Sequence, residues 1–353
     1  MRFPINYFRF VILLAVLSAA NIASSQTKKP ATLAELAAYS GADREQMLRN
    51  GAKSEGKVVW YTSFTGNSYK QLARSFEAQY PEVKIEVYRA ANKELLTKIT
   101  AESQAKHYLA DTLESTLGFF NGLRESSALM SFTSPYASSY PVSARERGEN
   151  GLYLWLIHRE SYNGVGYNTD RIAPSLAPKK FDDLLRPEFK GKMGFANGDT
   201  GARMIAAMLK AKGEEYIRKL WTQEYSLYSL SARALADLVA AGEVELSPTI
   251  SREHAAEVRR NGGPIGWAPM EVVPTNAGGV AIIKTAPHPH AALLLADFIL
   301  SPRGQKIFSE LDFANPAKDN ALNRFYPEKG LTAAQYEEQL ERWLKMLREV
   351  RRN

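Results

Sequence analysis

Residues 57–99 constrain this chain more than any other stretch. They read KVVWYTSFTGNSYKQLARSFEAQYPEVKIEVYRAANKELLTKI. Residues 58–61 form a short β-branched and aromatic run, the signature of a buried strand, and residues 62–67 are a turn of small hydroxyl and glycine residues. From Ser68 onward Leu72, Phe76 and Tyr80 recur at helical spacing until Pro81 stops them. Residues 83–88 then alternate apolar and polar side chains, the period of a second strand. Residues 89–92 lead into another helix, with Asn92 placed as its N-cap. This is a β-α-β-α unit of the kind that builds a parallel sheet. Each strand delivers the chain to a loop and a helix N-terminus. Hydroxyls, backbone N–H groups and an arginine at such corners suit a small polar or anionic ligand.

The remaining composition is that of a globular chain: 353 residues, 45% hydrophobic and 24% charged, long enough for two domains. The absence of cysteine excludes disulfides, thiolate nucleophiles, zinc knuckles and a lipid-attachment cysteine. Residues 1–25 stand apart. Arg2 and Arg9 precede the apolar run 10–17, and Ala23, Ser24 and Ser25 form a cleavage site before Gln26. The pattern predicts a secretory signal peptide, since the run is shorter than the roughly 20 residues a membrane span needs. The mature protein is expected to be soluble, free in a periplasm and monomeric.

Further along, residues 33–39 and 43–52 read as short helices, 110–115 as a third strand edge and 119–129 as a helix. Residues 152–158 and 164–168 read as two extended segments. Strand 192–196, turn 197–201 and helix 202–212 repeat the opening theme. Ser231 precedes the helix 232–241, which Gly242 ends. Strand 244–250 leads into a helix, 262–269 is a glycine/proline turn, 279–284 is a strand, and 290–300 and 331–350 are helices. Two halves therefore share one plan, from strand to polar loop to helix N-terminus, and ligands bind between such halves in open α/β folds.

The candidate binding residues come from these loops: Thr62, Ser63, Phe64 and Thr65 in the first, Arg89 and Asn92 in the second, and Ser115 and Thr116 after the third strand. Thr200, Gly201 and Arg203, then Ser231 and Arg233, then Ser251 and Arg252, come from the second half. Serine and threonine at helix starts also serve simply as caps. Arginine most often forms surface pairs, but its planar fork suits carboxylate or phosphate. His288 and His290 flank a proline and read as an exposed turn rather than a metal pair, for want of further ligands. The basic residues Arg348, Arg351 and Arg352 read as a solvated helix end. The mild charge of +7 argues against nucleic acid as a partner. No Gly-x-Ser-x-Gly elbow, His-Glu-x-x-His or phosphate-loop lysine motif is present.

In this order, VVWYTS, ELLTKI, ADTLES, YNT at 167–169, DDLLRPEFKGKMGFA, LVAAGE and KTAPHPHAALLLADFILSPRGQ resemble the periplasmic solute-binding proteins of ABC importers, the group that includes ferric-ion binders. The resemblance spans about residues 57–310. It implies an α/β, two-lobed periplasmic binding protein fold of type II with a ligand cleft at the hinge. The divisions expected are a signal peptide at 1–25, a helical extension at 26–55, lobe I at 56–157 and 273–325, lobe II at 158–272, and a C-terminal helix at 326–353. It implies no catalysis, no cofactor and no bound metal, but a small-molecule solute and an inner-membrane permease as partners. Ferric members hold iron with a histidine in the first loop, a glutamate after the third strand and paired tyrosines. The resemblance places Thr65, Thr116, and Ser251 with Arg252 at those positions. An arginine there repels a cation, and hard ferric iron wants oxygen anions. A small anionic organic or phosphorylated solute is the expected ligand. The alternatives are a ferric complex, for which Tyr225 and Tyr228 could supply phenolates, and a sensor subunit or enzyme on the same scaffold.

Overall fold

A computed structural model describes residues 30–64, 68–318 and 321–349. The expected signal peptide at 1–25, Thr65, Arg351 and Arg352 lie outside the described residues. In chain order the elements are α1 (Leu33–Ala38), α2 (Arg44–Glu55), β1 (Lys57–Thr62), α3 (Ser68–Gln79), β2 (Lys84–Arg89), α4 (Asn92–Gln104), β3 (Thr112–Thr116), α5 (Leu117–Glu125) and β4 (Arg145–Arg147). Then come β5 (Tyr153–Asn168), β6 (Gly194–Ala196), α6 (Asp199–Lys212), α7 (Glu214–Trp221), β7 (Ser226–Tyr228), α8 (Ala232–Ala241), β8 (Leu246–Ser251), α9 (Arg252–Arg260) and β9 (Ile265–Ala268). The chain closes with β10 (Val273–Ile282), α10 (Pro289–Leu300), α11 (Pro302–Glu310), β11 (Arg324–Phe325) and α12 (Ala333–Arg348).

The opening unit folds as its pattern dictates. β1 pairs in parallel with β2 on one side and β3 on the other. Val58, Trp60 and Tyr61 on β1 and Leu72 and Phe76 on α3 are buried in one apolar core with α10. A second core gathers α6, α7 and the inner residues of α12, with Val165 and Tyr167 of β5. The chain thus forms two α/β domains.

β5 joins them. Its first half pairs with β10 and its last residues pair with β8 and β9, all antiparallel. The sequence suggests two extended segments here, but one strand runs from Tyr153 to Asn168. The intervening polar residues stay extended because each finds a partner in place. β10 makes the return crossing beside it, from Val273 in a small cluster with Tyr162 to Ala277 in the first core.

Other expectations shift for local reasons. The glycine/proline turn at 262–269 contains β9, whose residues complete the pairing of β5. Thr200 and Gly201 are not in a turn but in the first turn of α6, which starts at Asp199 after Gly198. Gly201 has room for no side chain: a Cβ would stand 2.1 Å from the Ala196 carbonyl oxygen and 2.7 Å from Leu347. His288 and His290 are not a bare exposed turn. Each holds a carboxylate, His288 with Asp111 at 2.8 Å and His290 with Glu55 at 2.7 Å. α7, β7 and α11 are not anticipated above, although Tyr216, Ile217 and Leu220 of α7 are buried at helical spacing.

The N-terminal helices are fastened by a buried charge. Arg44, 2% exposed, places Nε 2.7 Å from Asp297 Oδ2 on α10 and donates to the carbonyls of Leu36, Tyr39 and Thr133. Burial pushes the Asp297 carboxyl up, and Arg44 works against that shift. Arg44→Met is expected to lose about 3–5 kcal/mol of stability, because it leaves a buried acid without its cation. Urea unfolding of the variant against wild type measures this, and an unchanged midpoint would contradict it.

Candidate functional site

The candidate residues of the first domain converge at the C-terminal ends of β1 and β3. Ser115 Oγ lies 2.6 Å from Asn92 Oδ1 and 3.0 Å from Ser63 Oγ. Asn92 Nδ2 donates to Thr116 Oγ1 at 2.7 Å. Asn92 is therefore not the N-cap of α4, a position taken by Ala91. Its amide instead ties the start of α4 to the end of β3. Thr62 Oγ1 donates to Glu114 and accepts the Phe64 N–H at 2.9 Å. Arg89 reaches the Phe64 carbonyl with Nε at 3.4 Å. α4 and α5 both begin here without a side-chain cap, so their first backbone N–H groups are not taken by a cap side chain.

Beneath this cluster lies an ion pair that sequence reasoning missed. Glu114 is wholly buried, and Arg159 of β5 grips it with Nη2 at 2.8 Å and Nε at 2.9 Å. The Arg159 guanidinium lies over the rings of Phe64 and Phe313, 4.8 and 5.2 Å from their centroids. It crosses β10 at Gly278, where a Cβ would stand 2.5 Å from Arg159 Cζ. Burial alone would push the Glu114 carboxyl up, but Arg159, with His158 and Thr62, more than offsets this and brings it to about 2. Burial pushes His158 the other way, down from its usual range, so this ring is neutral at pH 7 and Arg159 is the cation that holds Glu114. The visible signal is the polar run His158–Arg159–Glu160–Ser161 between apolar stretches.

The two faces of the crossing strands differ. On one, Glu160 accepts from Tyr162 at 2.6 Å, from Arg324 at 2.9 Å and from Tyr326. Arg252, the first residue of α9, lies over the Tyr162 ring at 4.9 Å. On the other face Ser161 donates to Glu253, and Ser251 donates to Asn163 at 2.9 Å. α9 also starts without a side-chain cap.

The remaining candidates stand elsewhere. Arg203 is buried and paired with Glu328 at 3.1 Å and with the Tyr336 hydroxyl at 3.2 Å, under α12. Ser231 caps α8 by accepting the Ala234 N–H at 3.1 Å. Arg233 pairs with Asp237 at 2.6 Å and Glu257 at 3.1 Å, the surface role common for arginine. Thr200 remains at the start of α6, which has no side-chain cap. The Tyr225 hydroxyl donates to the Leu347 carbonyl at 2.9 Å.

The sequence profile of bacterial extracellular solute-binding proteins matches residues 58–311. The chain belongs to that family, whose members are the binding components of ABC import systems. Among curated proteins it is 25% identical over 284 residues to an uncharacterised protein of Haemophilus influenzae, covering 74% of this chain and 77% of the relative. It is 26% identical over 238 residues to a putative 2-aminoethylphosphonate-binding periplasmic protein of Salmonella typhimurium, covering 64% of this chain and 67% of that one. Among solved structures, iron-bound HitA from Pseudomonas aeruginosa superposes with a TM-score of 0.64 at 22% identity, over 83% of this chain and 99% of that one. AfuA from Actinobacillus pleuropneumoniae with bound fructose-6-phosphate gives 0.62 at 21% identity, over 83% and 99%. These structures share the fold.

Arg159→Met should destabilise the protein by about 3–5 kcal/mol at neutral pH, since it strands a buried carboxylate. The sign with pH follows from the depressed carboxyl. The wild type draws stability from Glu114 above the unfolded value of about 4.3 and loses it as pH falls toward the folded value. In the variant Glu114 takes up a proton, so the gap between the two proteins should narrow from pH 7 to pH 3. Urea unfolding at both pH values reads it, and a constant gap would refute the assignment.

Proposed function

We propose that this protein captures a small anionic organic or phosphorylated solute at the junction of its two domains and passes it to an inner-membrane ABC permease. The observation that carries this reading is the cluster of Ser63, Asn92, Ser115 and Thr116 at the uncapped starts of α4 and α5. Hydroxyl and amide donors beside the positive ends of helices suit an anion. Arg252 at the start of α9 adds a permanent charge from the second domain. The donors gathered here are hydroxyls, amides and a guanidinium, which favours an anion over a bare ferric ion. The Salmonella relative's phosphonate supports an organophosphorus solute. Thr65, Thr200 and Gly201 complete the proposed set as loop and helix-start donors. The crossing strands β5 and β10 supply the hinge about which the domains close on the solute, and the protein works as a monomer.

Mass spectrometry of solute released from purified protein, followed by calorimetry, tests this. Arg252→Ala should weaken binding of the released solute by about 2–5 kcal/mol, the range for truncating a buried charge partner. Arg252→Lys should recover part of that, because lysine keeps the charge but cannot make the fork. Unchanged affinity in the alanine variant would remove Arg252 from the site. A tight, coloured complex with ferric ion would replace the anion reading with iron.

The leader reading predicts export. N-terminal sequencing of protein from the periplasmic fraction should begin near Gln26, and membrane-bound protein that retains Met1 would overturn it.

A further inference from the structure

Two buried oxygens at the domain junction lack a donor. Glu253 Oε2 and Asn276 Oδ1 are both buried acceptors without a hydrogen-bond partner. They stand on one face of the crossing strands. Asn276 on β10 is the direct partner of Ser161 on β5, and directly opposed residues of an antiparallel pair project to the same side. Ser161 Oγ donates to Glu253, so its carboxyl lies on that side too. Arg159 follows two residues before Ser161 on this face, but its guanidinium is committed to Glu114. Unpartnered buried acceptors are few in folded proteins, and each is costly. Two together call for an occupant rich in donors and poor in acceptors, which describes an ammonium group. Glu253 is 8% exposed. Burial pushes its carboxyl up to about 7 despite Ser161, its own backbone N–H, Arg252 and Arg159, and a cation beside the open Oε2 would restore its charge.

We propose that Glu253 and Asn276 form the subsite for the ammonium group of a zwitterionic solute, whose acid group sits on the Ser63–Asn92–Thr116 cluster. The proposal rests on the reading of this junction as the solute site. The register gives it a length. Thr116 faces Gly278, and Asn276 is two residues further along β10 on the same side. That step is roughly 7 Å along β10, and the spacing from β3 to β10 adds about 5 Å across it, so Thr116 and Asn276 stand roughly 8–9 Å apart, a span that an acid and an amine separated by two or three carbons bridge once their hydrogen bonds are counted. The solute class is therefore a short amino acid, aminosulfonate or aminophosphonate.

Calorimetry on the mature protein with paired probes decides it: 2-aminoethylphosphonate against ethylphosphonate, and β-alanine and taurine against propionate and ethanesulfonate. The amine-bearing member of at least one pair should bind at least about tenfold tighter, because a site built around a donor rejects the analogue lacking it. Glu253→Gln and Asn276→Leu should each shrink that preference while leaving the weaker affinity of the amine-free partner in place. If β-alanine or taurine binds with this preference and neither phosphonate does, the zwitterion subsite stands and the phosphorylated reading falls. If the phosphonates bind equally well, the solute site stands and the ammonium subsite is overturned. If no probe of any pair binds, the ammonium subsite for a short zwitterion is overturned, and the solute released from the purified protein decides the anion reading by itself. Full preference retained in both variants would also overturn the subsite.

Discussion

Glu114 keeps its charge inside the protein only because Arg159 reaches it from the strand that leaves for the other domain. That pair sits where the first sheet ends and the crossing strands begin, and much around it follows. Gly278 is bare because the guanidinium must pass over β10. Phe64 and Phe313 pack on its faces, which fixes the loop after β1. Thr62, on the far side of the carboxylate, sets that loop's first turn through the Phe64 N–H. The hydroxyl cluster above is thus positioned by a charge pair that does not belong to it. Buried pairs of this kind are weak sources of stability but strong constraints on geometry, since neither partner tolerates being left alone.

The same logic runs along the whole crossing. Between the two apolar cores the crossing strands bury polar side chains rather than more hydrophobic surface. Their backbone stays in sheet pairing while their side chains are satisfied locally. Glu160 is saturated by Tyr162, Arg324 and Tyr326 on one face. On the other, Ser161 bonds Glu253 and Ser251 bonds Asn163, while Glu253 Oε2 and Asn276 Oδ1 stay open. The Glu160 carboxylate is closed off by its three donors with Arg252 on the neighbouring Tyr162 ring, whereas the Ser161 face keeps acceptors without a donor.

How much of this was legible beforehand depends on how local each signal is. The β-α-β-α unit was, because Leu72, Phe76 and Tyr80 and the alternation at 83–88 follow from each element's own burial. Ser231 and Gly242 mark the ends of α8 by chemistry confined to a single turn. The hydroxyl and amide residues at the ends of β1 and β3 were found because strand-to-helix corners are recognisable in sequence. The partners missed at the junction are long-range. Arg159 looked like part of a gap between two strands because its partner is 45 residues away in sequence. Arg203 looked like a ligand candidate because Glu328, which neutralises it, is 125 residues further on. Glu253 drew no notice in the sequence because its contact, Ser161 on β5, is 92 residues away. Pairing across such separations leaves no periodicity to read.

α12 adds a constraint of its own. It lies along α6 of the second domain, with Leu347 against Gly201 and the Leu347 carbonyl bound by Tyr225. At its other end Tyr336 packs near Gly118 of α5, and Glu125 and Arg124 of the same helix hold Ala333 and Leu331. Glu328 joins the two sides: Arg203 pairs with its carboxylate, and Asn121 of α5 donates to its carbonyl at 2.9 Å. The segment leading into α12 is thus a third tie between the domains, beside β5 and β10. That tie is anchored by a buried ion pair, so any displacement that carried Arg203 away from Glu328 would leave a buried charge without its partner.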